Sequence, residues 1–175
     1  MRITVSGPPG SGTTSLAKFL SSKYSFKLIS AGEVFRSLAK ERGLDLIKFG
    51  ELCEKDASVD KLIDERQKEI GRADDDIIIE GRLAGHMIDN ADLRIWVLAS
   101  AECRAGRIAE REEVSFQSAR DETILREKSE AERYKKYYGI DIFDLSVYDF
   151  VISSEKWGKD ELAEVVCTAV EKIRI

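Results

Sequence analysis

The feature that most restricts how this chain can fold is a glycine-rich turn near the N-terminus. The β-branched run 2–5 ends just before Gly7, and apolar residues then recur at helical spacing from Leu16 to Leu20. The residues between them read Gly-Pro-Pro-Gly-Ser-Gly-Thr-Thr. A strand, a glycine loop and a helix in this order predict the opening unit of an α/β protein.

The glycine loop also points to a ligand. Residues 7–14 match the phosphate-binding pattern G-x-x-x-x-G-K-[ST] at every fixed position but one: Thr13 stands where the pattern has lysine. Its inner glycines let successive backbone N–H groups point inward, and the following helix adds its positive end. Thr14 stands where the pattern places a Mg²⁺-binding hydroxyl. An ordinary turn is the alternative, but the position between a strand and a helix favours a nucleoside triphosphate.

Apolar runs along the rest of the chain continue the alternation of strands and helices. Four further runs predict strands, at residues 27–30, 76–80, 94–98 and 148–152. Helical segments are predicted around residues 34–38, twice within 46–71, from 100, over 115–138 and over 162–173. The apolar interiors of the second and third runs are typical of strands buried on both faces. We therefore expect a parallel sheet covered by helices on both faces.

Chain length and composition favour one soluble domain. A chain of 175 residues can bury a full core without an oligomeric partner, so we expect a monomer. The net charge of −5 argues against a broad nucleic-acid face. No apolar run is long enough to cross a membrane, and no secretory signal pattern opens the sequence, so we expect a cytoplasmic protein. The three cysteines have no close pair, which fits reduced thiols.

A second group of candidate site residues follows the predicted strand 76–80. Glu80 ends that strand at its carboxyl end, where ligands bind in open α/β sheets. A carboxylate there can orient Mg²⁺ through water, although a strand-end charge that faces solvent is the alternative. Arg82 follows, and Gly81 leaves room for a ligand beside it.

Arginine spacing is the next signal. Arg104, Arg107 and Arg111 share one helical face, and Arg126 and Arg133, seven residues apart, share a face of the next helix. A guanidinium can clamp phosphate with two hydrogen bonds while it stays charged. The alternative is a solvated surface of ion pairs, since several glutamates are close in sequence.

Several of these segments resemble the nucleoside monophosphate kinases. GPPGSGTT resembles their donor loop, ISAGEVFR their S-x-G-x-x-x-R acceptor segment, and RIAER the arginine pair at the hinge of their lid. More closely, SAGEVFRSLAKERG, EGRLAG and SEAERYKKYYGIDIFDLSVYDFVI resemble the archaeal type of cytidylate kinase, in order and over nearly the whole chain. The resemblance implies that Mg²⁺-ATP phosphorylates CMP or dCMP by direct in-line transfer.

The resemblance also implies an architecture. It is the three-layer P-loop kinase fold with a five-stranded parallel sheet. The core comprises residues 1–30, 72–110 and 121–175. An acceptor-binding helical segment spans 31–71, and a short lid spans 111–120.

Family roles carry over to matching positions of this chain. ATP is expected on Gly7, Pro8, Pro9, Gly10, Ser11, Gly12, Thr13, Thr14 and Ser15. The acceptor nucleotide is expected on Ser30, Gly32, Arg36, Gly81 and Arg82, with Ser30 also capping a helix through Glu33. The transferring group is expected to meet Arg107, Arg111, Arg126 and Arg133. Magnesium is expected at Thr14 and Glu80.

Other functions remain open at this point. Thr13 departs from the general loop pattern, so the lid and acceptor arginines must supply the missing charge. Ala31 stands where adenylate kinases usually carry a hydroxyl, which favours a pyrimidine acceptor. A kinase of AMP, UMP or shikimate is the nearest alternative. A sensor that binds ATP without turnover is another, but Arg36, Arg82, Arg107 and Arg111 argue against it, because a sensor needs no clamp for an acceptor phosphate.

Overall fold

Five parallel strands form one sheet in the part of the chain that the computed structural model describes, namely residues 1–56, 58, 59, 61, 65, 69 and 75–173. The strands are β1 (Arg2–Ser6), β2 (Lys27–Ser30), β3 (Ile77–Glu80), β4 (Leu93–Leu98) and β5 (Phe150–Ser153). The helices in the same residues are α1 (Thr13–Tyr24), α2 (Ala31–Glu41), α3 (Leu46–Lys55), α4 (Ala84–Met87), α5 (Ala101–Glu112), α6 (Phe116–Tyr138) and α7 (Lys159–Lys172). The strand order is β2-β3-β1-β4-β5. The predicted α/β fold with a five-stranded parallel sheet is confirmed.

Strand β3 shows why the sheet has helices on both faces. Ile78 packs into the core formed with α1 and α7, whereas Ile77 and Ile79 pack against α4 on the opposite face. All three isoleucine side chains are fully buried. Because side chains alternate along a strand, a continuous apolar run is the pattern that double burial requires.

The register of the central strands sets the position of the site. Glu80 at the end of β3 pairs with Val5 of β1 on one side and with Ser30 of β2 on the other. The glycine loop after β1 and the start of α2 therefore lie on either side of Glu80. In a parallel sheet this carboxyl edge is where ligands bind.

Helices α2 and α3 have a small core of their own. Phe49, Cys53 and Ala39 are buried there, and the rings of Phe35 and Phe49 are 4.7 Å apart. This cluster is separate from the one that covers the sheet. It supports an excursion from the core in this region, while the division into core, acceptor segment and lid stays a prediction.

Element boundaries differ from the predicted ones by a few residues. Strand β3 begins at Ile77 because Asp76 has a left-handed backbone conformation, with φ of 55°. Strand β5 begins at Phe150, since the chain before it forms a turn in which the backbone N–H of Tyr148 donates to the carbonyl oxygen of Leu145. The second helical segment predicted within 46–71 falls largely outside the described residues. No helix among the described residues is long and apolar enough to span a membrane.

Serine caps define the start of the two polar helices. Ser100 accepts a hydrogen bond from the backbone N–H of Cys103, and Ser115 accepts one from that of Ser118. Helix α6 then continues without interruption to Tyr138. These caps fix the residues at which α5 and α6 begin.

Candidate functional site

The glycine loop between β1 and α1 has the backbone that its sequence predicts. Gly10 and Gly12 have φ of 82° and 101°, a left-handed region that favours glycine. A Cβ on Gly10 would lie 3.1 Å from the Cβ of Arg104, because α5 packs directly on the loop. Helix α1 begins at Thr13, so its positive end points to the space above the loop.

Arginine side chains bind the backbone carbonyl groups of the loop. Arg82 donates a hydrogen bond to the carbonyl oxygen of Gly7, and Arg104 donates one of 3.3 Å to that of Pro9. The Arg104 side chain is almost fully buried and forms an ion pair of 2.9 Å with Glu127. A loop that turns its N–H groups toward an anion turns carbonyls away from it. Both guanidiniums therefore support the loop; Arg104 places its charge behind the loop, whereas Arg82 also lines the cleft described below.

Arg107 belongs to the same support. Its Nη1 lies 3.4 Å from the oxygen of Gly10 and 3.3 Å from that of Ser11, and it also donates to Ser154 Oγ at 2.8 Å. The Ser154 hydroxyl donates in turn to the Ser11 oxygen at 2.7 Å. Arg107 thus ties the loop to the end of β5 and does not line the cavity described below. Its expected contact with the transferring group stays a prediction.

A cleft of about 100 Å³ opens above the loop. It is lined by Gly7, Pro8, Pro9, Gly10, Thr13, Thr14, Ala31, Gly32, Phe35, Arg36, Glu80, Gly81, Arg82, Leu83, Arg111, Arg126, Glu130, Arg133 and Tyr134. Most of the glycine loop and all the predicted acceptor residues except Ser30 thus meet in one cleft. Ser30 is buried beneath the cleft, Ser11 is buried within the loop, and Gly12 and the exposed Ser15 also lie outside the lining.

Glu80 is the anchor at the floor of this cleft. Thr13 Oγ1 donates to Glu80 Oε1 at 2.7 Å, and Thr14 Oγ1 lies 3.3 Å from the same oxygen. Ser30 Oγ donates to Oε2 and accepts a hydrogen bond from the backbone N–H of Glu33 at 3.2 Å. Glu80 is only 6% exposed, so the alternative of a carboxylate that faces solvent is wrong. The predicted helix cap at Ser30 is confirmed.

The residues at this floor fit a magnesium ion. Mg²⁺ prefers hard oxygen ligands and usually keeps waters and substrate phosphates in its shell. The Thr14 hydroxyl and the Glu80 carboxylate offer two such oxygens, 3.3 Å apart, beside the glycine loop.

The arginines of the cleft differ in their surroundings. Arg36 is half-buried and forms no ion pair with a described residue, and burial together with the nearby charge of Arg126 lowers the pKa of its guanidinium. Arg133 is buried and donates to Ser129 Oγ at 2.7 Å. The Arg111 side chain is 58% exposed and pairs with the adjacent Glu112. The solvated alternative therefore applies to Arg111 but not to Arg133.

Sequence reasoning missed Glu130. It is a buried carboxylate on α6 that binds Arg82 and Arg126, and these cations lower the pKa of Glu130 to about 2 although burial alone would raise it. Its spacing of four residues from Arg126 is visible in the sequence, but that spacing is also typical of exposed ion pairs. The contact with Arg82 spans 48 residues and has no sequence signal.

A second cavity, of about 330 Å³, adjoins the cleft. It lies between α2 and α3 on one side and α5 and α6 on the other. It shares six lining residues with the cleft, namely Pro9, Phe35, Arg111, Arg126, Glu130 and Arg133. Leu46, Ile47 and other apolar side chains supply much of its wall. Its size is within the range of small-molecule sites.

Comparisons with known proteins agree on the family. The model of the cytidylate kinase-like family matches residues 2–156. The chain is 61% identical to the cytidylate kinase of Methanoculleus marisnigri, over 97% of this chain and 94% of that protein. It is 55% identical to the cytidylate kinase of Methanosphaerula palustris, over 99% of both chains.

Solved structures share the fold at low sequence identity. An uncharacterised protein from Eubacterium ventriosum has a TM-score of 0.72 at 19% identity, with 98% of this chain and 99% of that chain covered. The shikimate kinase of Bacteroides thetaiotaomicron has a TM-score of 0.64 at 14% identity and covers 98% of each chain. These similarities concern the fold alone. The extensive match to the family model and to its relatives shows that the chain belongs to the cytidylate kinase-like family.

Proposed function

We propose that this protein is a cytidylate kinase, which transfers the γ-phosphoryl group of ATP to CMP or dCMP. A phosphate oxygen of the acceptor attacks the γ-phosphorus in line, the bond to the β–γ bridging oxygen breaks, and ADP leaves with that oxygen. The products are ADP and CDP or dCDP, and no covalent enzyme intermediate forms. The observation that carries this proposal is the single cleft in which the glycine loop, Glu80 and the acceptor arginines meet.

The chain contributes position and charge to this reaction. The backbone N–H groups of the loop and the start of α1 bind the donor phosphates. Arg36 and Arg82 bind the acceptor phosphate, and Arg111, Arg126 and Arg133 stabilise the charge of the transferring group. The adjoining cavity, which opens beside Phe35, accommodates the acceptor nucleoside. Direct transfer depends on such positioning more than on a proton-transferring side chain.

Magnesium is the cofactor we propose, held by the Thr14 hydroxyl and, directly or through water, by Glu80. When bound, it would neutralise charge on the β- and γ-phosphates. The chain's own part is to keep Thr14 and Glu80 close together, which the hydrogen bonds from Thr13 and Ser30 to the carboxylate support.

The absence of the loop lysine is compensated by arginines in this proposal. One well-placed arginine can contribute about 10³ to 10⁵ in rate to phosphoryl transfer. Arg82, Arg111, Arg126 and Arg133 line the cleft, while Arg104 and Arg107 add positive charge behind the loop.

Other acceptors have less support. The similarity to solved shikimate kinases lies below 20% identity and concerns the fold. Ala31, which lines the cleft, supplies no hydroxyl for adenine. A sensor of ATP would have no use for a cleft with Arg36 and Arg82. We further propose that the enzyme acts as a cytoplasmic monomer, with residues 111–120 as a short lid.

The test is an assay of ADP release with a panel of acceptors, namely CMP, dCMP, UMP, AMP and shikimate, each with Mg²⁺-ATP. We expect ADP release that depends on CMP or dCMP and exceeds that with AMP. Equal or faster turnover with AMP would contradict the cytidylate assignment but not a kinase. ATP binding by calorimetry without turnover on any acceptor would favour the sensor.

A further inference from the structure

Glu130 lies in the wall that the cleft and the adjoining cavity share. Glu130 is only 5% exposed, although it lies within the polar helix α6. A carboxylate is rarely buried to this extent without a specific partner. The groups that bind Glu130 therefore indicate the role of this carboxylate in the site.

Two arginines from different elements bind this carboxylate. Arg82 donates from Nε and Nη2 to Oε2 at 2.8 and 2.7 Å, a two-point contact. Arg126 donates from Nε to Oε1 at 2.8 Å. Each carboxylate oxygen thus orients one guanidinium. Charge-assisted contacts of this geometry are both strong and directional.

The arginines keep hydrogen-bond donors to spare. A guanidinium has five N–H groups. Arg82 uses two of them on Glu130 and one on the carbonyl oxygen of Gly7, and Arg126 uses one on Glu130. The remaining N–H groups of both side chains make no hydrogen bond to a described residue, and both arginines line the cleft.

Charge supports the same interpretation. Arg82 and Arg126 carry two positive charges, and Glu130 offsets one of them, so the trio retains a net charge of about +1 for an anion. Without the carboxylate, two partly buried guanidiniums would repel each other in a region of low dielectric constant. They would then turn apart or toward solvent.

We infer that Glu130 is a positioning residue that holds Arg82 and Arg126 as a pair, with their remaining N–H groups directed to the acceptor phosphate and the transferring group. The inference rests on the proposed kinase function. Through Arg82 the same carboxylate is linked to the carbonyl of Gly7, and so to the donor loop. Glu130 thereby sets the relative position of the two phosphates that react.

The test uses three variants of the whole protein. Glu130→Gln keeps the size of the side chain but removes its charge and turns an amide N–H₂ toward one arginine. Glu130→Asp keeps the charge but shortens the side chain by one methylene, which moves the carboxylate away from the two arginines. Glu132→Gln is the matched control. Glu132 is exposed on the same helix, and its ion pair with the likewise exposed Lys128 is long, at 3.9 Å.

Positioning predicts a particular kinetic pattern. We expect Glu130→Gln to raise the KM for CMP by about tenfold and to lower kcat by about 10- to 100-fold, with the KM for ATP changed by less than about threefold. Glu130→Asp should recover part of both losses. Glu132→Gln should match the wild type. Calorimetric titration with CMP gives a readout that does not require turnover, and we expect it to follow the KM values.

The outcomes separate this inference from the proposed function. Wild-type protein that neither turns over CMP nor binds it would overturn the proposed function and this inference with it. An active wild type whose Glu130→Gln variant melts at a lower temperature but has unchanged KM and kcat would overturn the inference alone. Should Glu130→Gln not fold, Glu130→Asp decides: wild-type kinetics and CMP affinity in that variant contradict positioning, and a raised KM for CMP supports it.

Discussion

The hydroxyl of Thr13 donates a hydrogen bond of 2.7 Å to Oε1 of Glu80, from the loop position at which the phosphate-binding pattern has lysine. The residue that replaces the lysine therefore has a structural role of its own. A short hydroxyl at this position fixes the carboxylate that closes the floor of the cleft. We propose that position 13 serves to orient Glu80 and that the arginines of the cleft supply the positive charge.

Replacement of Thr13 by valine tests this role of the hydroxyl. Thr13→Val keeps the branched shape but leaves the buried Glu80 without one of its donors, a loss of about 1–3 kcal/mol in stability. We expect kcat to fall about tenfold and the apparent affinity for Mg²⁺ to weaken, as measured by magnesium titration of the rate. Thr13→Ser, which keeps the hydroxyl, is the control. A stability loss with unchanged kcat would show that the hydroxyl serves folding only.

A lysine introduced at position 13 should raise kcat only when one of the cleft arginines has been removed. In the intact enzyme Thr13→Lys is expected to give no gain in kcat, because the new ammonium faces the carboxylate of Glu80. Loss of Arg111, which lines the cleft, should lower kcat about 100-fold. In that background Thr13→Lys should recover about five- to tenfold. A double-mutant cycle on kcat measures the coupling, and strictly additive effects would contradict compensation.

Arg36 is expected to behave as a specific acceptor ligand. Arg36→Ala should raise the KM for CMP about tenfold and leave the affinity for ATP nearly unchanged. Its melting temperature should be equal to or slightly above that of the wild type, because the removed cation lies near Arg126 without an ion-pair partner among the described residues. Arg82→Ala, by contrast, should weaken both substrates, since Arg82 also holds Gly7 and Glu130. If Arg36→Ala weakened ATP and spared CMP, the two subsites would be reversed.

Much of this architecture is predictable because its signals are local. The spacing of Gly7, Gly10 and Gly12 encodes a turn whose backbone only glycine adopts readily at two of the three positions. The apolar interior of β3 encodes burial on both faces. Glu80 could be assigned to the site because a parallel sheet brings the carboxyl ends of its strands to one edge.

The support around the site could not be predicted in the same way. The contacts of Arg82 with Glu130, of Arg104 with Pro9 and of Arg107 with Gly10 join residues that are far apart in sequence. Each depends on the angle at which α5 or α6 packs on the loop. Helical periodicity identifies the face that Arg104 and Arg107 share, but it does not distinguish a guanidinium that meets substrate from one that supports the backbone.

Arg107 allows this distinction to be measured. Because its guanidinium binds the loop oxygens of Gly10 and Ser11 and the end of β5 at Ser154, Arg107→Ala should loosen the loop. We expect a KM for ATP raised about tenfold, a lower melting temperature and a nearly unchanged KM for CMP. Arg107→Lys should not restore activity, since an ammonium lacks the planar fork. A severe loss of kcat with a normal KM for ATP would instead support direct contact with the transferring group.

The last prediction concerns the pH dependence of stability at Glu130. The pKa of this carboxyl is lowered to about 2 in the folded protein, mainly by Arg82 and Arg126 against the opposing effect of burial. A folded-state pKa below the unfolded value of about 4.5 adds stability above that unfolded value, and the gain is lost as pH falls toward 2. The shift corresponds to roughly 3 kcal/mol at neutral pH.

Wild type and Glu130→Gln should therefore differ most in melting temperature at pH 6 to 7, and the difference should shrink progressively below about pH 4.5. Comparison of the two proteins cancels the titration of the other carboxyl groups, which both contain. Glu132→Gln, whose carboxylate is exposed, should follow the wild type at every pH. A difference between wild type and Glu130→Gln that stays constant from pH 7 to about pH 3 would mean that the shape of the side chain, and not its charge, stabilises the wall of the cleft.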